Sequence, residues 1–130
     1  MRIAIIAHDN KKGDMVAFVM KRLPFFKRDD VELVATGTTG KHIEHAGLRV
    51  ERVHSGPQGG DAQIASQLVE GRVDVVLFFI DPLFSHPHEV DVHMLMRLCN
   101  VWDIPLATNY STASRLIKTY EEVPKMIKQN

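Results

Sequence analysis

At 130 residues and 14.7 kDa, the chain has the size of one ordinary domain and can bury a core without metal or disulfide support. A content of 45% hydrophobic and 25% charged residues excludes intrinsic disorder and a fibrous or low-complexity chain. Sixteen Lys and Arg against sixteen Asp and Glu leave no net charge to attract nucleic acid or a membrane surface, so any anion site must be local.

The first apolar run, Ile3 to Ala7, is too short for a signal sequence or a membrane span and reads as a strand. Met15, Phe18, Val19 and Leu23 then share one helical face, and Val31 to Ala35 gives a second strand. A short helix from Lys41 to Ala46, ended by Gly47, leads to a third strand from Leu48 to Val53. Next come a helix from Asp61 to Glu70 with Ile64, Ala65, Leu68 and Val69 on one face, and a continuous apolar strand from Val73 to Ile80. A helix bearing Val92, Leu95, Met96, Cys99 and Trp102, a strand from Ile104 to Ala107, and a closing helix from Tyr120 to Lys128 complete the order. Cys99, the single cysteine, has no disulfide partner and reads as a buried thiol in a cytoplasmic protein.

Near-continuous apolar strands need cover on both faces, and strands alternating with helices give right-handed crossovers. The expected fold is α/β: a single domain over residues 1–130, with an open five-stranded parallel sheet and helices on both faces. No linker, repeat or charge block divides it.

In such sheets ligands bind beyond the carboxyl ends of the strands, and here those ends are polar. They carry His8, Asp9 and Lys12; Thr36, Thr38 and Thr39 among glycines; Ser55, Gly56 and Asp61 in a second glycine-rich stretch; Asp81, His88 and Asp91; and Thr108 with Asn109. Both Gly-rich turns precede helices, so hydroxyls and free backbone N–H groups can meet a phosphate at a positive helix end. The alternative for Thr36 to Gly40 is a self-capped turn in which Thr38 or Thr39 satisfies the helix terminus. Lys12 either adds a full charge to a bound phosphate or is an exposed surface lysine. Asp61 is either the N-cap of its helix or a general base, and Asp9, Asp81 and Asp91 nearby would raise the pKa of at least one carboxylate. His8 and His88 stand out among seven histidines by their place on the rim. No HExxH, CxxC, GxGxxG or Walker A pattern occurs, so neither a catalytic metal nor a nucleotide cofactor is expected.

The segments Ala7-His8-Asp9-Asn10-Lys11-Lys12, Ala35-Thr36-Gly37-Thr38-Thr39-Gly40, Ser55-Gly56-Pro57-Gln58-Gly59-Gly60-Asp61 and Phe78-Phe79-Ile80-Asp81-Pro82-Leu83 resemble methylglyoxal synthase. The likeness continues through Pro87 to Val92 and Val101 to Pro105 as far as Asn109, which is most of the chain. The resemblance implies a cofactor-free, metal-free lyase, assembled as a homohexamer, that converts dihydroxyacetone phosphate to methylglyoxal and inorganic phosphate. It places the phosphate among Lys12, Thr36, Thr38, Thr39, Ser55 and Gly56, with His8 beside them, and makes Asp61 the base. His88 and Asp91 then serve the substrate oxygens, and Asp9 and Asp81 shape the site. Inorganic phosphate, as product, is expected to inhibit. The family's C-terminal arginine, which reaches a neighbouring subunit, has no match; the tail offers Lys125 and Lys128. The competing reading is a regulatory module of the same fold that binds a phosphorylated effector without chemistry.

Overall fold

The computed structural model describes residues 1–83 and 92–123. The apolar runs form β1 (Arg2–Ala7), β2 (Glu32–Thr36), β3 (Glu51–Val53), β4 (Val75–Phe79) and β5 (Leu106–Ala107). Between and after them lie α1 (Lys12–Lys21), α2 (Leu23–Phe26), α3 (Gly37–His45), α4 (Gly60–Val69), α5 (Val92–Val101) and α6 (Tyr110–Glu121). All strand pairs are parallel, in the order β3-β2-β1-β4-β5. The chain builds outward from β1 to β3, then returns to the other side of β1 for β4, so β1 and β4 flank the point where the order reverses.

Side-chain alternation along the strands sorts the core into two layers. Ile3, Ile5 and Ala7 with Val75, Leu77 and Phe79 face α1, α3 and α6 through Met15, Phe18, Ile43, Ala113 and Ile117. Ala4 and Ile6 with Val76 and Phe78 face α4 and α5 through Ile64, Leu68, Leu95 and Cys99. Helices therefore cover both faces, the arrangement that right-handed crossovers produce when the winding direction switches. Burial in the second layer pushes the Cys99 thiol up to about 11, so it stays protonated and inert.

Two edge strands are half the expected length, Glu51–Val53 against Leu48–Val53 and Leu106–Ala107 against Ile104–Ala107, and three helical elements differ from the sequence reading. The expected helical face from Met15 to Leu23 is divided at Arg22, because Pro24 has no N–H to donate back to residue 20; it instead takes the second position of α2. Helix α3 starts at Gly37, four residues before Lys41, so what reads as a loop is the first helical turn. Among the described residues the last helix is Tyr110–Glu121, ten residues ahead of the start expected at Tyr120: the Asn109 side chain accepts from the Thr112 N–H at 2.9 Å and caps it. Residues 124–128 lie outside the described residues.

Candidate active site

The two glycine-rich stretches meet at one peptide. The Gly37 N–H, at the start of α3, points to the His54 carbonyl at 3.4 Å, and a Cβ on Gly37 would lie 3.1 Å from Ser55 Cα. The Ser55 carbonyl accepts from the Gln58 N–H at 3.0 Å and the Gly60 N–H at 2.9 Å, which folds Gly56–Gln58 into one 3-10 turn. Gly59, with φ +98°, then lets the chain enter α4. These close approaches bring Gly37, between Thr36 and Thr38, against Ser55, and bring Gly60, the residue before Asp61, against the same peptide.

Neither helix start uses a side chain as its cap. Thr36 holds the cap position of α3 without a side-chain hydrogen bond to the helix, so the self-capped alternative for this turn is not what forms. The cap position of α4 is Gly59, and Asp61 lies in the first turn, so the N-cap reading of Asp61 is overturned. The first N–H of each helix goes to a carbonyl of the junction, and a start whose cap residue offers no side-chain acceptor suits an anion. Thr39 is fully buried, and its Oγ1 has no hydrogen-bond partner among the described residues.

The loop after β1 forms the second half. Lys12 opens α1, which packs beside α3 on the same sheet face. Its Nζ is 2.7 Å from Asp9 Oδ1 and its side chain is only 25% exposed, which fits a held cation better than a solvated surface lysine. His8 is buried; its Nδ1 accepts from the Asp81 N–H at 2.9 Å and its ring meets Phe78 edge-on. Because Nδ1 accepts, a neutral His8 carries its proton on Nε2. His8 thus ties the end of β1 to the end of β4, at the switch in strand order.

At Asp81 the sign is opposite to that expected of crowded carboxylates. Asn10 Nδ2 donates to Oδ2 at 3.0 Å and the Leu83 N–H to Oδ1 at 3.0 Å, and these donors hold the carboxyl below the usual range. Asp81 is ionised and structural, linking the loops after β1 and β4. Asn10 had no signal of this role in the sequence. Asn109, on the same rim, is occupied as a helix cap. His88 and Asp91 lie outside the described residues.

An open depression of about 450 Å³ adjoins the junction, lined by Gly37, Thr38, Lys41, Arg52, Ser55 and Gln63 among others. A larger one, about 820 Å³, lies at the opposite end of the strands. There Arg2 pairs with Glu32 and Glu51 and Arg28 with Asp30, so the charges of these two guanidinium groups are already matched. Thr38 and Ser55 line the first depression, whereas Lys12, Thr36, Thr39, Gly56 and Asp61 do not; the candidate site is therefore the junction itself, at the carboxyl ends of the strands. Among the described residues, no group of three or more His, Cys, Asp or Glu could hold a metal ion.

A parallel sheet covered on both faces, with two helix starts meeting at the carboxyl ends of its strands, defines an α/β domain whose candidate site lies on that rim. A family profile described as MGS-like domain matches residues 15–108, and the chain belongs to this family. It is 53% identical over 123 residues to a methylglyoxal synthase of Brucella anthropi, covering 93% of this chain and 97% of that one. It is 50% identical over 119 residues to a methylglyoxal synthase of Carboxydothermus hydrogenoformans, covering 91% and 97%. The crystal structure of methylglyoxal synthase from Elizabethkingia anophelis superposes with a TM-score of 0.85 at 43% identity, covering 95% of this chain and 78% of that one.

Proposed function

We propose that this chain is a methylglyoxal synthase: a lyase that takes dihydroxyacetone phosphate to methylglyoxal and inorganic phosphate. The observation that carries the reading is the His54–Ser55 junction, which draws the Thr36–Thr39 turn, Ser55–Gly56 and the turn bearing Asp61 together. The reading is supported by methylglyoxal synthases about half identical to this chain over more than nine-tenths of both lengths.

In the proposed chemistry the substrate phosphate binds the α3 and α4 starts, with Thr36, Thr38, Thr39, Ser55 and Gly56 as donors and Lys12 as the cation. Asp61 removes a proton from the hydroxymethyl carbon, and the electron pair forms an enediolate. Donors at the carbonyl oxygen stabilise that charge, each worth about 3 kcal/mol. His8, and His88 with Asp91, are assigned to the substrate oxygens, while Asp9 and Asp81 support Lys12 and the loops. As the C–O bond on the far carbon breaks, the remaining hydroxyl of the enediolate becomes the aldehyde and its proton leaves with the phosphate, so hydrogen phosphate departs and the enolate of methylglyoxal remains. Return of the proton taken up by Asp61 to the terminal carbon completes the product and restores the base. Elimination requires that C–O bond to stand perpendicular to the enediolate plane, so the phosphate donors select the outcome as well as the ligand. Reprotonation of the same intermediate would give only isomerisation.

A homohexamer in the cytoplasm belongs to the same reading; among the described residues no helix is long and apolar enough to cross a membrane. The test is to incubate the purified protein with dihydroxyacetone phosphate and assay methylglyoxal and released phosphate separately. Equal amounts of both support the lyase. Substrate binding without turnover would leave the effector-binding module, and sedimentation velocity checks the hexamer.

A further inference from the structure

The peptide on which both phosphate turns depend has a third contact. The His54 N–H donates to Gln63 Oε1 at 2.8 Å. His54 follows the last residue of β3, and β3 is an edge strand, so no neighbouring strand is on its outer side to receive that N–H. Gln63 supplies the acceptor from the first half of α4, two residues beyond Asp61. The same helix therefore carries Asp61 and grips the loop that presents Ser55 and Gly56. On its other side the His54 carbonyl meets Gly37. Gln63 itself is exposed, so its side chain adds nothing to the apolar core.

We propose that Gln63 is a positioning residue for the elimination step, its side-chain carbonyl holding the Ser55–Gly56 loop in register with the Asp61 turn through the His54 N–H. The inference rests on the lyase reading above. Its physical basis is that proton abstraction and phosphate departure occur on different carbons of one small substrate. The base and the phosphate donors must keep a fixed separation for the breaking C–O bond to stay perpendicular to the enediolate. Loosening the loop changes that angle more than it changes the number of donors available to phosphate. Gln63 thus acts on turnover, through His54, without touching the reacting atoms.

Two variants separate the acceptor from the side chain's bulk and charge. Gln63→Met keeps the length and loses the oxygen; kcat is expected to fall about tenfold while the inorganic phosphate Kd stays within about threefold of wild type. Gln63→Glu keeps an acceptor oxygen beside the phosphate turns and adds a negative charge. Its kcat is expected to stay within about threefold of wild type while KM and the phosphate Kd rise about tenfold by repulsion. Thermal melting and phosphate-binding stoichiometry confirm that each variant is folded. A purely structural role would lower the melting temperature and the folded fraction in both variants without this crossed pattern. Wild-type turnover in Gln63→Met, or equal loss of kcat in both variants, overturns the proposal. If the wild-type protein itself makes no methylglyoxal from dihydroxyacetone phosphate, it is the lyase reading that fails.

Discussion

Gly60 lies against the backbone of His54, so closely that a Cβ at Gly60 would be 2.7 Å from the His54 carbonyl carbon and would overlap its oxygen. The contact is with backbone on both sides, and no side-chain rotation can relieve it. It locks the end of β3 to the start of α4, and with it the distance between Ser55 and Asp61. Gly60→Ala is expected to destabilise the fold by about 1–3 kcal/mol, the range for overpacking, and to abolish methylglyoxal formation in the protein that remains folded. Gly13→Ala is the control: a Cβ there meets nothing within 4 Å, and a helical Gly→Ala change should leave stability equal or higher. Urea melts of both variants check the contrast. A Gly60→Ala protein as stable as wild type would mean that the junction yields easily.

Lys12 is expected to hold the substrate's dianion, released in part from Asp9 when the ligand enters. Lys12→Met should weaken inorganic phosphate and dihydroxyacetone phosphate alike by roughly 10- to 100-fold, the equivalent of about 1.5–3 kcal/mol for a hydrogen bond to a charged group. Titration calorimetry with phosphate measures this directly. Unchanged phosphate affinity would return Lys12 to the role of an i,i+3 partner for Asp9.

For Asp61 the decisive comparison is between binding and turnover. Asp61→Asn keeps the size of the side chain, and the helix cap at Gly59 does not depend on it. The variant should fold, bind phosphate as wild type does or more tightly, and lose kcat by roughly 10²- to 10⁴-fold, the usual worth of a general base. Near-normal turnover would remove Asp61 as the base.

The sheet and both helical layers were legible in the sequence because unbroken apolar strands such as Val75–Phe79 leave few alternatives to a covered parallel sheet. The convergence of Thr36–Thr39 and Ser55–Gly56 followed from the rule that ligands lie beyond strand carboxyl ends. Three things were not legible, each for a physical reason. Thr, Gly and Ser have low helix propensity, so the first turn of α3 and the start of α6 look like loop, although Asn109 with Ala113 and Ile117 at helical spacing marks α6 in hindsight. The reach of Gln63 back to His54 links residues nine apart through a turn whose geometry no local pattern encodes. The charge environment of Asp81 depends on Asn10, seventy-one residues away, and its place on the rim beside other aspartates suggests carboxylate neighbours where the fold supplies donors.

That donor environment gives Asp81 a definite pH signature. Hydrogen bonds from Asn10 and the Leu83 N–H favour its ionised form, so the folded-state pKa lies below the unfolded reference of 3.8. The unfolded chain then binds this proton more readily than the native one, and stability rises with pH through the interval between the two values. The contribution is fully present above pH 3.8 and is lost as the pH falls through the depressed folded-state value. Asp81→Asn cannot ionise and should be less stable than wild type near neutrality, with the gap closing on acidification. Thermal midpoints for both proteins from about pH 6 down to about pH 2 measure the convergence, which begins near the unfolded reference and continues below it. Parallel curves across that range would mean that Asp81 is not held ionised by Asn10 and Leu83, and that the ends of β1 and β4 are tied by other bonds, such as the Asp81 N–H to His8 Nδ1 and the His8 N–H to the Phe79 carbonyl.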